Sequence, residues 1–317
     1  MDTYSNDHDV SQQVNTTDPG NVQQEIDRIF LDLYPNASTD PLDRAFYDVA
    51  RLYRGEFPGF MACDTAYHDI QHVLDVTLAM ARLLDGYERS RVSTDPIGED
   101  LFQLGVVTAL FHDCGYLRKS SEAARNGAEF TKTHVTRGAE FLREYLATLG
   151  MPEYGAAAAD LVHFTGYERP VATIAMPNLS MRLVGYLLGS ADIIAQMADR
   201  CYLEKCRDRL YPEFVAGGIA SATMPNGDSK VIFASGDDLV MKTPGFYAGA
   251  SRRLNGELQG FHSYAGKHFG GQQLYIEEID KNIKFAQTVG KAQDTSILRR
   301  TPPDTLPADA EHDQVKA

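Results

Sequence analysis

Apolar residues recur at helical period over most of the chain. Val22 to Tyr34 places Ile26, Ile29, Phe30 and Leu33 on one face before Pro35-Asn36 stops it, and Asp43 to Tyr53 repeats the pattern with Phe46, Val49, Ala50 and Tyr53. His68 to Leu84 groups Val73, Val76, Met80, Leu83 and Leu84. Leu101 to Phe111 is apolar nearly all round, which predicts a buried central helix. His134 to Leu149, Tyr154 to Thr165, Met181 to Met197 and Asp199 to Phe214 extend the series, and Gln272 to Val289 supplies the last helix. A run of helices without strand alternation predicts an all-α domain.

The texture changes between Val215 and about Gly271, where Gly, Ser and polar residues dominate. Lys230 to Ala234 and Asp238 to Lys242 read as a short hairpin around Ser235-Gly236-Asp237. A segment this long is expected to be a lid or binding region rather than filler. Residues 1–20 are polar and acidic, and residues 295–317 carry Pro302, Pro303 and Pro307 among charges; both are expected to be disordered. Residues 21–294 are then one globular domain, with its lid region at 215–271.

Composition narrows the function classes. The 317 residues carry 30 Lys and Arg against 44 Asp and Glu, a formal charge of −14, which argues against a nucleic-acid polymer as partner. No apolar run approaches the roughly 20 residues that span a bilayer, and the acidic amino terminus resembles neither a secretory signal nor a transit peptide. Cys63, Cys114, Cys201 and Cys206 have no zinc-ribbon spacing and are too sparse for a disulfide scaffold, so a reducing cytoplasm is expected. A homo-oligomer is compatible with all of this.

Candidate chemistry lies in the histidines. His68, His72, His112, His134 and His163 fall on or beside predicted core helices, where an imidazole needs a hydrogen-bond partner or a metal. His68 and His72 share a helix face. His112-Asp113 ends the buried helix before Cys114-Gly115, and a carboxylate placed there is expensive unless paired or bound to a cation. Asp192 is another acid in an apolar helix. His72, His112-Asp113, His134, His163 and Asp192 follow one another with gaps of 40, 21, 29 and 29 residues, each about one helix plus a loop. Such ligands can project from successive helices into one bundle interior.

This order resembles the HD-domain superfamily of metal-dependent phosphohydrolases, in its two-metal branch. Tyr67 to Val76 looks like the Y-H-N-x-x-H-A-x-D-V segment of class I cyclic-nucleotide phosphodiesterases, differing at Asp69 and Val73. Leu110 to Gly115 is similar to the L-x-H-D-x-G signature, and His134 to Leu142 resembles a stretch of HD-GYP cyclic-dinucleotide phosphodiesterases. The likeness covers about Tyr67 to Asp199. It implies an HD-type helical bundle in which His72, His112 and Asp192 hold one divalent metal, His134 and His163 the second, and Asp113 bridges them. It further implies His68 as the acid for the leaving oxygen and hydrolysis of a phosphoester, a cyclic nucleotide or other nucleotide, by a metal-bridging hydroxide. A donor set of imidazoles and carboxylates favours Fe or Mn, with Zn and Co also suited.

The chain departs from both relatives. Tyr116 stands where HD-GYP proteins carry lysine, Phe164-Thr165-Gly166-Tyr167 replaces the Gly-Tyr-Pro trio, and no purine-gripping glutamine is assigned among Gln259, Gln272 and Gln273. The same ligand set also serves HD-type mixed-valent di-iron oxygenases, and a module that senses a nucleotide without hydrolysing it is a third reading. Lys242 and the pair Arg252-Arg253 are candidates for gripping the phosphate of a small anionic substrate.

Overall fold

The computed structural model describes residues 5–90, 96–224 and 228–307. Its axis is α3 (Ile70–Ser90), which is buried on every side and packs against α1 (Pro19–Leu33), α4 (Gly98–Leu110), α7 (Leu179–Ala198) and α11 (Tyr264–His268). Further out, α2 (Asp40–Tyr53) closes on α1 and α4, while α5 (His134–Thr148) pairs with α6 (Gly155–Leu161). The carboxy-terminal half adds α8 (Tyr202–Lys205), α9 (Tyr211–Ala216), α10 (Gly236–Asn255) and α12 (Leu274–Ala292), and a π-helical turn joins α8 to α9. The architecture is the all-α bundle that the periodicity predicts. No described helix is long and apolar enough to cross a membrane.

The apolar faces become one continuous core. Ile26, Ile29 and Phe30 of α1, Phe46 and Val49 of α2, and nearly all of α4 are buried together. The four cysteines are buried free thiols.

The hairpin differs from expectation. Strand β1 (Ser221–Thr223) pairs antiparallel with β2 (Ser229–Val231), so Lys230 is a strand residue, but Asp238 to Lys242 is helix. Ser235 accepts the Asp238 N–H and caps α10, whose first turn carries Asp237 and Asp238. Ser-Gly-Asp-Asp, read as a turn, is therefore a helix start with acids at the positive end of the helix dipole.

The expected disordered ends are corrected as well. Asp9 is buried; its carboxylate accepts the N–H groups of Ser11, Gln13 and Val14 and pairs with buried Arg82 of α3 at 2.7 Å. Val14 joins the core. At the other end Leu298 is buried, Arg209 donates to the carbonyls of Pro302 and Pro303, and Thr305 Oγ1 donates to Asp69 Oδ2 at 2.5 Å. Asp69 also accepts the His72 N–H at 2.9 Å, which caps α3. Polar composition reads as disorder only when its charges have no partners, and here they do. Residues 1–4 and 308–317 lie outside the described residues.

Candidate metal centre

Helix α3 presents His72, the end of α4 presents His112 and Asp113, and α7 presents Asp192. The Nε2 atoms of His72 and His112 each lie 3.2 Å from Asp113 Oδ2, and 3.7 Å and 3.9 Å from Asp192 Oδ1. Ligand atoms of His72, His112 and Asp113 all fall within 4.8 Å of one another, as around one ion. His134, opening α5, points Nε2 at the other Asp113 oxygen, Oδ1, at 3.6 Å. His163 lies in a turn after α6, buried, with Nδ1 2.5 Å from Glu168 Oε1.

Backbone carbonyls set the ring orientations. His112 Nδ1 donates to Ala109 O at 2.7 Å and His134 Nδ1 to Thr131 O at 2.8 Å, so each ring turns Nε2 toward Asp113 as a free donor atom. His112 Nε2 is buried without a hydrogen-bond partner; Asp113 is close but out of alignment. An orphaned buried nitrogen facing two carboxylates fits a bound divalent cation, which would complete its coordination.

The charges are polarised accordingly. Burial pulls the His112 imidazole down, but Asp113 and then Asp192 outweigh it and hold it at about 9. Burial would raise Asp113, yet the imidazoles of His112 and His72 keep its carboxyl well below the usual range. His134 is lowered, chiefly by burial.

A close backbone approach fixes this geometry. A Cβ on Gly115 would stand 1.9 Å from His134 O, so only glycine lets the His112-Asp113 turn meet the start of α5. Gly115→Ala is expected to cost about 1–3 kcal/mol or more in urea unfolding, because the atom struck is backbone.

His68 precedes α3 and lines the same cavity as His72, Asp113, His134 and Asp192. Its Nδ1 donates to Glu213 Oε2 of α9 at 2.5 Å, and the other Glu213 oxygen accepts the Tyr67 N–H at 2.6 Å. Tyr116 is sandwiched between the rings of His68 and His134, at centroid distances of 4.1 Å and 4.3 Å. Burial alone would lower the His68 pKa; Glu213 more than reverses that, and the ring is raised. Glu213→Gln should therefore lower it. In a rate profile that needs protonated His68, the alkaline limb should move to lower pH, whereas an unmoved limb would remove His68 from proton transfer.

Glu213, Glu168 and Gln196 were not among the residues singled out from the sequence. Gln196 accepts from Tyr67 Oη at 3.3 Å and donates to Asp192 Oδ1 at 3.4 Å. Two of the expected phosphate grips are engaged within the fold, and the third, Arg252, is exposed. Arg253 is buried, donating to the carbonyls of Phe164 and Gly166, and Lys242 pairs with Asp238 at 2.7 Å.

The fold is similar to that of a phosphodiesterase domain. The likeness is to the phosphodiesterase domain of the RhoPDE fusion protein from the choanoflagellate Salpingoeca rosetta, with a TM-score of 0.50 and 13% sequence identity over 92% of this chain and 97% of that one. No protein-family model matches the sequence, and no curated protein does. At this identity the likeness bears on the fold; the chemistry rests on the residues above.

Proposed function

We propose that the protein is a metal-dependent phosphohydrolase acting on a phosphodiester. The observation that carries the reading is the grouping of His72, His112 and Asp113, with Asp192 facing both histidines and the orphaned His112 Nε2 among them. The likeness of the fold to a phosphodiesterase domain supports it. His72, His112 and Asp192 would hold one cation and Asp113 would bridge it to a second beside His134 and His163. Bound there, divalent cations supply the acidity that ionises water and the positive charge that neutralises phosphoryl oxygens.

The protein's own groups do the rest. Glu213 favours the protonated form of His68 and fixes its ring by Nδ1, which leaves Nε2 to give a proton to the departing ester oxygen. Tyr116 stacks on the rings of both His68 and His134, which restrains their orientation. The water oxygen bonds to phosphorus, one ester P–O bond breaks, and the products are a phosphomonoester and an alcohol.

The test is an assay of the manganese- or iron-loaded protein on bis(p-nitrophenyl) phosphate and on a cyclic-nucleotide panel, the substrate class implied by Tyr67 to Val76. Turnover that chelation abolishes and metal restores is the expected result. Flat traces with every metal and ester would defeat the proposal.

A further inference from the structure

The cavity at the metal cluster has a volume of about 610 Å³, far more than a phosphate needs and in the range of sites that enclose a whole organic ligand. Its two halves are unlike. One is the metal half, lined by His68, His72, Asp113, His134, Glu168 and Asp192; the other is built by Tyr202, Leu210, Phe214, Phe233, Leu239 and Phe246. The second half comes from α8 to α10 and the hairpin, the stretch whose composition suggested a lid. Phe214 and Phe233 meet there at 5.6 Å between ring centroids.

Several polar groups beside this wall are engaged within the fold, while Lys132, Thr136 and Tyr167 line the cavity elsewhere. Lys242 Nζ donates to Ile232 O at 2.6 Å and to Asp238 Oδ2 at 2.7 Å, and Thr243 Oγ1 donates to Leu239 O at 3.2 Å. Gln196 uses its carbonyl on Tyr67 and its amide on Asp192. Gln259, Gln272 and Gln273 are not among the residues lining the cavity. A nucleobase set against Leu210, Phe214, Phe233 and Leu239 would gain no hydrogen bond from those side chains for its ring-edge donors and acceptors, which is unfavourable. A saturated chain has no such groups. Val215, Val231, Ile232 and Phe246 are exposed on the hairpin and the helices flanking it, and Phe246 also lines the cavity.

We propose that the organic group of the substrate is an alkyl chain, so that the protein hydrolyses an amphiphilic phosphodiester. Phosphorus lies at the metal cluster and the chain runs along Phe214, Phe233 and Leu239 toward Phe246. This rests on the hydrolase reading and replaces the nucleotide with a hydrocarbon ester.

The test is a homologous series of p-nitrophenyl alkyl phosphodiesters, methyl to octyl, followed by release of p-nitrophenolate from the metal-loaded full chain. kcat/KM should rise by about two- to fourfold per added methylene until the wall is filled, as burial of each methylene implies. In Phe246→Ser, a substitution at an exposed position that does not threaten folding, the octyl-to-methyl ratio should fall by about tenfold, the worth of one or two buried methylenes. Turnover of the dissolved octyl ester identifies a free amphiphile, and turnover confined to the ester in phosphatidylcholine vesicles identifies a lipid; both support the proposal. A flat series, or a cyclic nucleotide outpacing the octyl ester, overturns it while leaving the hydrolase reading intact. Absence of turnover for every ester removes both.

Discussion

Asp113→Asn is expected to lower turnover by about 10²–10³-fold, the order seen when one group that stabilises transition-state charge is removed. Asp113 Oδ2 stands 3.2 Å from the Nε2 atoms of both His72 and His112, and Oδ1 stands 3.6 Å from that of His134, so one carboxylate touches three imidazoles. Asparagine keeps the shape and removes the charge that would make the group a metal ligand. Two further readouts separate this from simple misfolding. The thermal midpoint of the metal-free protein should change little compared with the loss in rate. The His112 imidazole, held at about 9 by Asp113 against the opposing effect of burial, should titrate lower in the metal-free variant, as nitrogen chemical shifts would show. Turnover within about tenfold of wild type would contradict the assignment of Asp113.

The second large effect concerns stability. Asp9→Ala should cost about 3–5 kcal/mol in urea unfolding, because it leaves the Arg82 guanidinium buried without its carboxylate. Arg82 Nη2 lies 2.7 Å from Asp9 Oδ2, its Nη1 donates to Tyr275 Oη at 3.2 Å, and its guanidinium lies 5.0 Å from the centre of the Phe269 ring. The pair thus ties the amino-terminal segment to α3 and the carboxy-terminal elements. The double variant Asp9→Leu with Arg82→Met should recover much of the loss, since no charge is then stranded. The pH dependence has a definite sign. Burial raises the Asp9 carboxyl, but Arg82 and the hydrogen bonds of Ser11 and Val14 outweigh it, so its folded pKa is lowered. A lowered carboxyl contributes stability that is fully present above its unfolded value near 3.8 and is lost as pH falls through the folded value. Wild type should lose this share in acid, and Asp9→Ala should have none of it to lose. Equal stability of wild type and Asp9→Ala at neutral pH would contradict the role given to the pair.

The helices, and the grouping of His72, His112 and Asp113, were legible because both depend on short-range pattern. His68 and His72 share a turn of helix, His112-Asp113 ends an apolar helix, and Asp192 interrupts another. What escaped depends on long-range pairing. Glu213, which seats His68, comes from 145 residues along the chain, and nothing in Tyr211 to Ala216 marks it as more than a surface acid. Glu168 lies only five residues from His163, close enough for the pairing to have been suspected. The chain ends were misread because Asp9, Arg209 and Thr305 look like solvated residues until Arg82 and Asp69 are placed beside them. At Ser235 the local signal was ambiguous, since Ser-Gly-Asp-Asp serves a turn and a helix start equally well, and the burial of Leu239 and Val240 in the helix decided between them. The stacking of Tyr116 on two imidazoles could not be read from sequence order.

The central claim, that the His72, His112, Asp113 and Asp192 cluster is a metal centre with a second position beside His134 and His163, is tested most directly by metal content. Protein purified without chelators would be analysed by elemental mass spectrometry. About two transition-metal ions per chain are expected, as in two-metal hydrolytic sites. A metal content near zero after incubation with iron and manganese, or one unchanged when His112 is replaced by alanine, would contradict it.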